Sequence, residues 1–123
     1  MTTTPILRTV DDVPQLEVER AVGATIQVLL GPEEGMPRFY TRRFTLAPGG
    51  RIPAHRHPNI EHEQLMLSGQ MRVTLDGEER VVRAGQVLFI PPRVTHAYAN
   101  DGPEPARFLC IVPASASYET EWL

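Results

Sequence analysis

Lysine is absent from this 123-residue chain, whose twelve basic residues are all arginine. Without a lysine amine there is no Schiff-base or pyridoxal-type chemistry. A single cysteine, Cys110, excludes an intrachain disulfide. No histidine or lysine neighbours it in the sequence, so it is not read as an activated nucleophile. No apolar run approaches the roughly 20 residues that span a bilayer. The opening Met-Thr-Thr-Thr-Pro lacks a basic stretch followed by an apolar one. No secretory signal is therefore expected, and the cytoplasm is the expected compartment. Basic charge is not in excess, since the formal net charge is -3. That argues against nucleic acid as a partner, because phosphate binding wants a basic face. Ser68, Ser115 and Ser117 sit in no G-x-S-x-G context, which argues against a serine hydrolase.

Twelve prolines and nine glycines are spread along the chain. They read as frequent turns between short strands. Short edge strands are expected at 6–10 and 16–18, and a β-branched strand at 25–30. Residues 38–46 alternate, with Tyr40, Phe44 and Leu46 on one face and Arg42 sharing it. Ala47-Pro48-Gly49-Gly50 reads as a turn before a strand at 51–57. Further strands are expected at 61–67, 70–75, 79–83, 86–90, 94–99 and 106–112. Asp76-Gly77 is a strong hairpin signal, because both residues tolerate positive φ. The 106–112 strand is apolar on both faces, which suits a central or interface strand and predicts a homodimer. Residues 118–122 are read as one helical turn or a packing strand. Roughly nine to eleven short strands indicate an all-β sandwich or barrel in one domain. Its parts are an N-terminal arm at 1–35, a barrel core at 36–113 and a tail at 114–123.

The chain holds four histidines, and all four fall in two short segments. His55 and His57 are two apart on a strand and project from one face. His62, Gln64 and Met66 share a face of the next strand, with Glu61, Glu63, Leu65 and Leu67 opposite. His96, Tyr98 and Asn100 share a face of the third. Four imidazoles suit a divalent transition metal and do not suit calcium or magnesium. Neutral ligands leave the metal charge uncompensated, so an anionic or enolisable small molecule is the expected ligand. A register slip of one residue would present Glu61 or Glu63 in place of His62.

Gly49, five residues, His55-x-His57, four residues, His62, six residues and Gly69 resemble the first cupin motif. Gly85, five residues, Pro91-x-Arg93, two residues, His96, three residues and Asn100 resemble the second. Two departures stand out. His62 replaces the usual glutamate, and Arg93 stands where glycine is common. The first departure makes the chain similar to four-histidine cupins, the small manganese-binding type of thermophilic bacteria among them. That likeness extends to RRFTLAPGG and to FLCIVP, hence over most of residues 38–113. The resemblance implies a double-stranded β-helix, a jelly-roll barrel, with His55, His57, His62 and His96 on one metal. Manganese or iron is favoured, with zinc, copper or nickel as alternatives. By the same resemblance Phe108, Cys110 and Val112 face the metal and Ile52 sits at the mouth, with Met66 as a further wall residue. Plain barrel core is the competing reading for each of these.

Arg42 is a candidate anchor for a substrate carboxylate, through paired hydrogen bonds. An ion pair with Glu63 is the equal alternative. Gln64 should reach the pocket or hydrogen-bond a ligand histidine. Tyr98 would stack on substrate or donate a proton. The leading functional expectation, implied by the resemblance, is an oxygenase or dioxygenase acting on a small enolisable or alkene-bearing compound. The runner-up is a non-redox cyclase, isomerase or lyase using the metal as a Lewis acid, with Tyr98 or Glu63 carrying the proton. A non-catalytic small-molecule binding protein is the third.

Overall fold

The computed structural model describes residues 4–115 and 117–123. The opening run read for a signal thus begins outside the described residues, as does Ala116 of the tail. In chain order the strands are β1 (Leu16–Glu17), β2 (Val22–Leu30), β3 (Phe39–Arg56), β4 (His62–Ser68) and β5 (Gln70–Leu75). They continue as β6 (Glu78–Arg83), β7 (Val87–Ile90), β8 (His96–Ala99), β9 (Ala106–Pro113) and β10 (Glu121–Trp122). Every pairing is antiparallel, and the main path runs β6-β5-β8-β3-β9-β4-β7. The result is the all-β jelly roll expected from the sequence.

β3 is the hinge of this arrangement. Its first half pairs with β2 and β9, from Phe39↔Pro113 to Leu46↔Ala106. Its second half pairs with β8 and β10, through Ile52↔Tyr98 and Trp122↔His55. One strand therefore passes from one face of the barrel to the other, and corners of this kind need a bend. Ala47-Pro48-Gly49-Gly50 supplies it. The expected turn between two strands is thus a bend within one strand of 18 residues. Gly49 takes φ +82. Asn100, fully buried, ties the bend by donating to the Leu46 carbonyl at 3.0 Å. The backbone exchanges Gly49 N–H to Asn100 O and Asn100 N–H to Gly50 O, at 2.8 and 2.9 Å.

Alternation sends Leu46, Ile52, Met66, Met71, Val73, Ile90, Phe108 and Val112 inward, each at most 3% exposed. Full burial of a side chain of this size contributes about 1.5–3 kcal/mol. The hairpin at Asp76-Gly77 is present, with φ +48 and +85. β9 lies between β3 and β4, as a central strand should.

Three further expectations are corrected. Residues 6–10 form no strand. Arg8 instead reaches the Leu29 carbonyl at 2.7 Å and Glu34 at 3.2 Å, and the chain makes a single 3-10 turn at Val10–Asp12. Residues 94–95 precede β8, because Arg93 turns the backbone at φ +72. Of the two readings for the tail, the helical turn fails; Glu121–Trp122 is a packing strand on β3. No helix among the described residues is long and apolar enough to cross a membrane.

Candidate metal centre and its cavity

The histidine site is set up by a β-bulge. Ile52 pairs with Tyr98 and His55 with His96, so three steps on β3 match two on β8. A bulge of this kind re-aims the following side chain. Without it, Ile52 and His55 would face opposite ways; with it, they are 3% and 7% exposed. His62 opens β4 on the buried face, and Glu61 and Glu63 are exposed on the other. The one-residue slip does not occur, and Glu63 is placed neither to pair with Arg42 nor to carry a proton in the cavity.

One ring nitrogen from each of His55, His57 and His96 falls within 4.8 Å of the others. His62 is outside that tight set but beside it, with its ring centre 5.0 Å from His57 and 5.2 Å from His96. In the three clustered rings Nδ1 faces a backbone carbonyl: Pro53 at 2.8 Å, Glu119 at 3.0 Å and Val94 at 2.9 Å. A carbonyl only accepts, so Nδ1 carries the proton and Nε2 keeps its lone pair. This is the usual way a protein fixes the tautomer of a metal-ligating histidine. Burial lowers the pKa of all four rings, and neighbouring imidazoles add to the effect for His57, His62 and His96. His96 falls to about 4 and His62 to about 2. The set is neutral at pH 7, as ligands must be. His62 Nδ1 is buried with no hydrogen-bond partner among the described residues. A cluster of neutral imidazoles with bare nitrogens fits a divalent transition ion.

The rings line one cavity of about 280 Å³. Strand register explains its deeper wall. Arg42 and Gln64 flank Cys110 as neighbours on β3, β4 and β9, with Phe44, Phe108 and Met66 one row along. Arg42 donates to Cys110 Sγ at 3.1 Å, and its guanidinium lies 5.3 Å from the Phe44 ring centre. No carboxylate pairs with it among the described residues. Gln64 donates to the Tyr98 hydroxyl at 2.8 Å. Burial raises the Tyr98 pKa strongly, so the phenol stays protonated. Phe44 and Phe108 stack at 5.1 Å, and Tyr98 and Phe108 at 5.4 Å.

Of the expected site residues, all four histidines and Arg42, Ile52, Gln64, Tyr98, Phe108 and Cys110 line this cavity. Met66 and Val112 do not; both are packed in the core at 1% exposure.

The family model for the cupin domain matches residues 42–112. The chain belongs to the cupin family. This cupin is 36% identical over 99 residues to "Polyketide synthase CurC" of Streptomyces cyaneus, covering 80% of its own length and 64% of that relative. Its fold superposes on the polyketide cyclase RemF of Streptomyces resistomycificus with a TM-score of 0.87 and 27% identity. That match covers 98% of this cupin and 87% of RemF. A cupin 2 domain-containing protein of Halorhodospira halophila matches at TM-score 0.75 and 30% identity, over 82% and 70% of the two chains.

The cupin motifs do not reach several residues that complete the site. Tyr118, Thr120 and Trp122 line the cavity, and Trp122 lies over His55 with ring centres 5.0 Å apart. Glu17 and Val18 reach it from the N-terminal arm. The aromatic character of the 118–122 segment was the one available signal in the sequence.

Proposed function

We propose that this cupin is a metal-dependent enzyme that closes rings on small, enolisable poly-carbonyl anions of the polyketide type. The observation that carries the reading is unmet hydrogen-bonding demand. The buried side-chain atoms without a partner among the described residues are Arg42 Nε, His62 Nδ1, Gln64 Oε1 and Tyr118 Oη. All four belong to residues lining the same cavity. Buried polar groups are normally satisfied, so such a cluster marks the place of a polar ligand. An uncompensated guanidinium beside stacked aromatic rings selects a flat anion rich in oxygen. The likeness to CurC and RemF, named a polyketide synthase and a polyketide cyclase, supports the same substrate class.

In this reading His55, His57, His96 and His62 hold one divalent transition ion. When bound, the ion supplies Lewis acidity toward a carbonyl oxygen. The chain's own residues do the rest. Arg42 holds the anionic end of the substrate. The protonated Tyr98 donates a hydrogen bond to one of its oxygens, and Gln64 Oε1 accepts one from an enol hydroxyl. Phe44 and Phe108 keep the chain planar and exclude water. An intramolecular aldol step forms one C–C bond between an enolate carbon and a carbonyl carbon, then expels water. It needs no oxidant. A cytoplasmic homodimer completes the proposal, its contact surface the outer face of β4, β7 and β9.

The test is anaerobic incubation of the metal-loaded protein with a synthetic linear poly-β-carbonyl carboxylate, followed by mass spectrometry. A product lighter by one water, formed without O₂, is expected. The oxygenase reading requires turnover only with O₂ and a product heavier by oxygen; that result would overturn the cyclase. Tight ligand binding with no turnover would leave a binding protein.

A further inference from the structure

The three clustered histidines are not anchored alike. His55 and His96 hydrogen-bond through Nδ1 to carbonyls two residues back, at Pro53 and Val94. Their orientation is local. His57 relies on Glu119, 62 residues away, at 3.0 Å, with the Thr120 hydroxyl 3.2 Å from the same nitrogen. The segment carrying these groups, residues 117–123, is fastened along the second half of β3. Asn59 clamps it twice, donating to the Ser117 carbonyl at 3.3 Å and accepting from the Glu119 N–H at 3.2 Å. Arg56 pairs with Glu121 at 2.8 Å, and the Leu123 N–H donates to the Ala54 carbonyl at 3.1 Å. Trp122 sits between His55 and the Arg20 guanidinium, 5.0 and 5.1 Å from each.

Most of these fastenings are exposed. Segments held by solvent-facing hydrogen bonds and few buried contacts open at low free energy. Opening this one would remove the acceptor that fixes His57, the ring that covers His55 and the Tyr118 wall of the cavity together.

We infer that segment 117–123 is a positioning element of the metal centre, with metal binding and docking of the segment thermodynamically coupled. The inference rests on the metal-centre reading. Asn59, the Glu119 carbonyl and Trp122 are its positioning groups. Coupling is reciprocal: if docking tightens the metal, the metal must tighten docking by the same factor.

The test uses the full chain with Mn(II) and Zn(II) as probes. Affinity is measured by competition with a chromogenic chelator for wild type and Asn59→Ala, whose side chain hydrogen-bonds to the backbone of Ser117 and Glu119. Loss of the hydrogen bond behind a ligand weakens metal binding about 10–100-fold, and a loss of up to that size, which full undocking would reach, is expected. Backbone hydrogen exchange within 117–123 of the wild type should slow when metal is added. Trp122→Ala should also weaken binding and Trp122→Phe restore most of it; this pair decides the matter should Asn59→Ala not fold. Wild-type affinity in a folded Asn59→Ala, or exchange in 117–123 that metal leaves unchanged, overturns the coupling alone. A wild-type chain that takes up no metal removes the coupling and the metal centre together.

Discussion

Arg93 holds φ at +72 just ahead of the histidine it leads into. A side chain in that region costs about 1–2 kcal/mol, partly offset in glycine by greater freedom when unfolded. Arg93→Gly should therefore raise stability by about 0.5–1 kcal/mol in chemical denaturation; a loss would show that the arginine side chain holds the turn. The imidazoles set a pH dependence. Unfolded histidine takes up its proton near 6.5, whereas folded His96 resists to about 4 and His62 to about 2. Below about 6.5 the unfolded chain binds more protons, so acid favours unfolding. The metal-free protein should lose stability steadily as pH falls from about 6.5 through about 4, and urea midpoints at pH 7, 6 and 5 would show it. Midpoints that stay level would mean that the folded rings take up protons as readily as unfolded histidine. Arg42→Gln removes the cation and keeps a polar side chain. Carboxylate ligands should bind at least about tenfold more weakly by calorimetry, while metal content holds; unchanged affinity would make Arg42 a structural residue of the Cys110 row.

At the scale of elements, β3 carries the molecule. Its bend brings Gly50 so close to its neighbours that an added Cβ would meet Gly23 O at 2.6 Å and Ala47 O at 2.8 Å. Gly50→Ala should cost about 1–3 kcal/mol, measured by denaturant titration; a neutral result would show that the corner relaxes. The Pro-Gly-Gly run was legible as a change of direction but not as a bend within one strand. Turn residues report local φ and ψ, whereas the pairing of β3 with β9 and then β8 depends on sequence more than 40 residues away. Asp76-Gly77 was read correctly because its demand is entirely local. The four histidines were legible because they fall in two segments with strand spacing. The bulge between Ile52 and His55 was not, since it is defined by the partner strand. Segment 117–123 was least legible: Glu119 acts through its backbone carbonyl, which any residue could supply.

At the scale of the whole molecule, an apolar patch crosses the outer face. Leu65, Leu67, Val87, Phe89 and Ile111 are 37–80% exposed on β4, β7 and β9. Leu65 joins Leu109 to Val87 across three strands, and in the next row Glu63 stands between Ile111 and Phe89. Exposed apolar faces of this kind mark association surfaces. The proposed dimer predicts that Phe89→Glu halves the sedimenting mass without unfolding the barrel; a wild-type monomer at micromolar concentration would refute it. The proposed activity and the coupling of segment 117–123 both depend on one ion held by the four histidines. Metal content by mass spectrometry, on chelator-free protein supplied with manganese, iron and zinc together, tests this most directly. The site predicts about one equivalent of a divalent transition metal in the wild type and very little in His96→Ala. A wild type without metal that also takes none back, or His96→Ala at full occupancy, would contradict it.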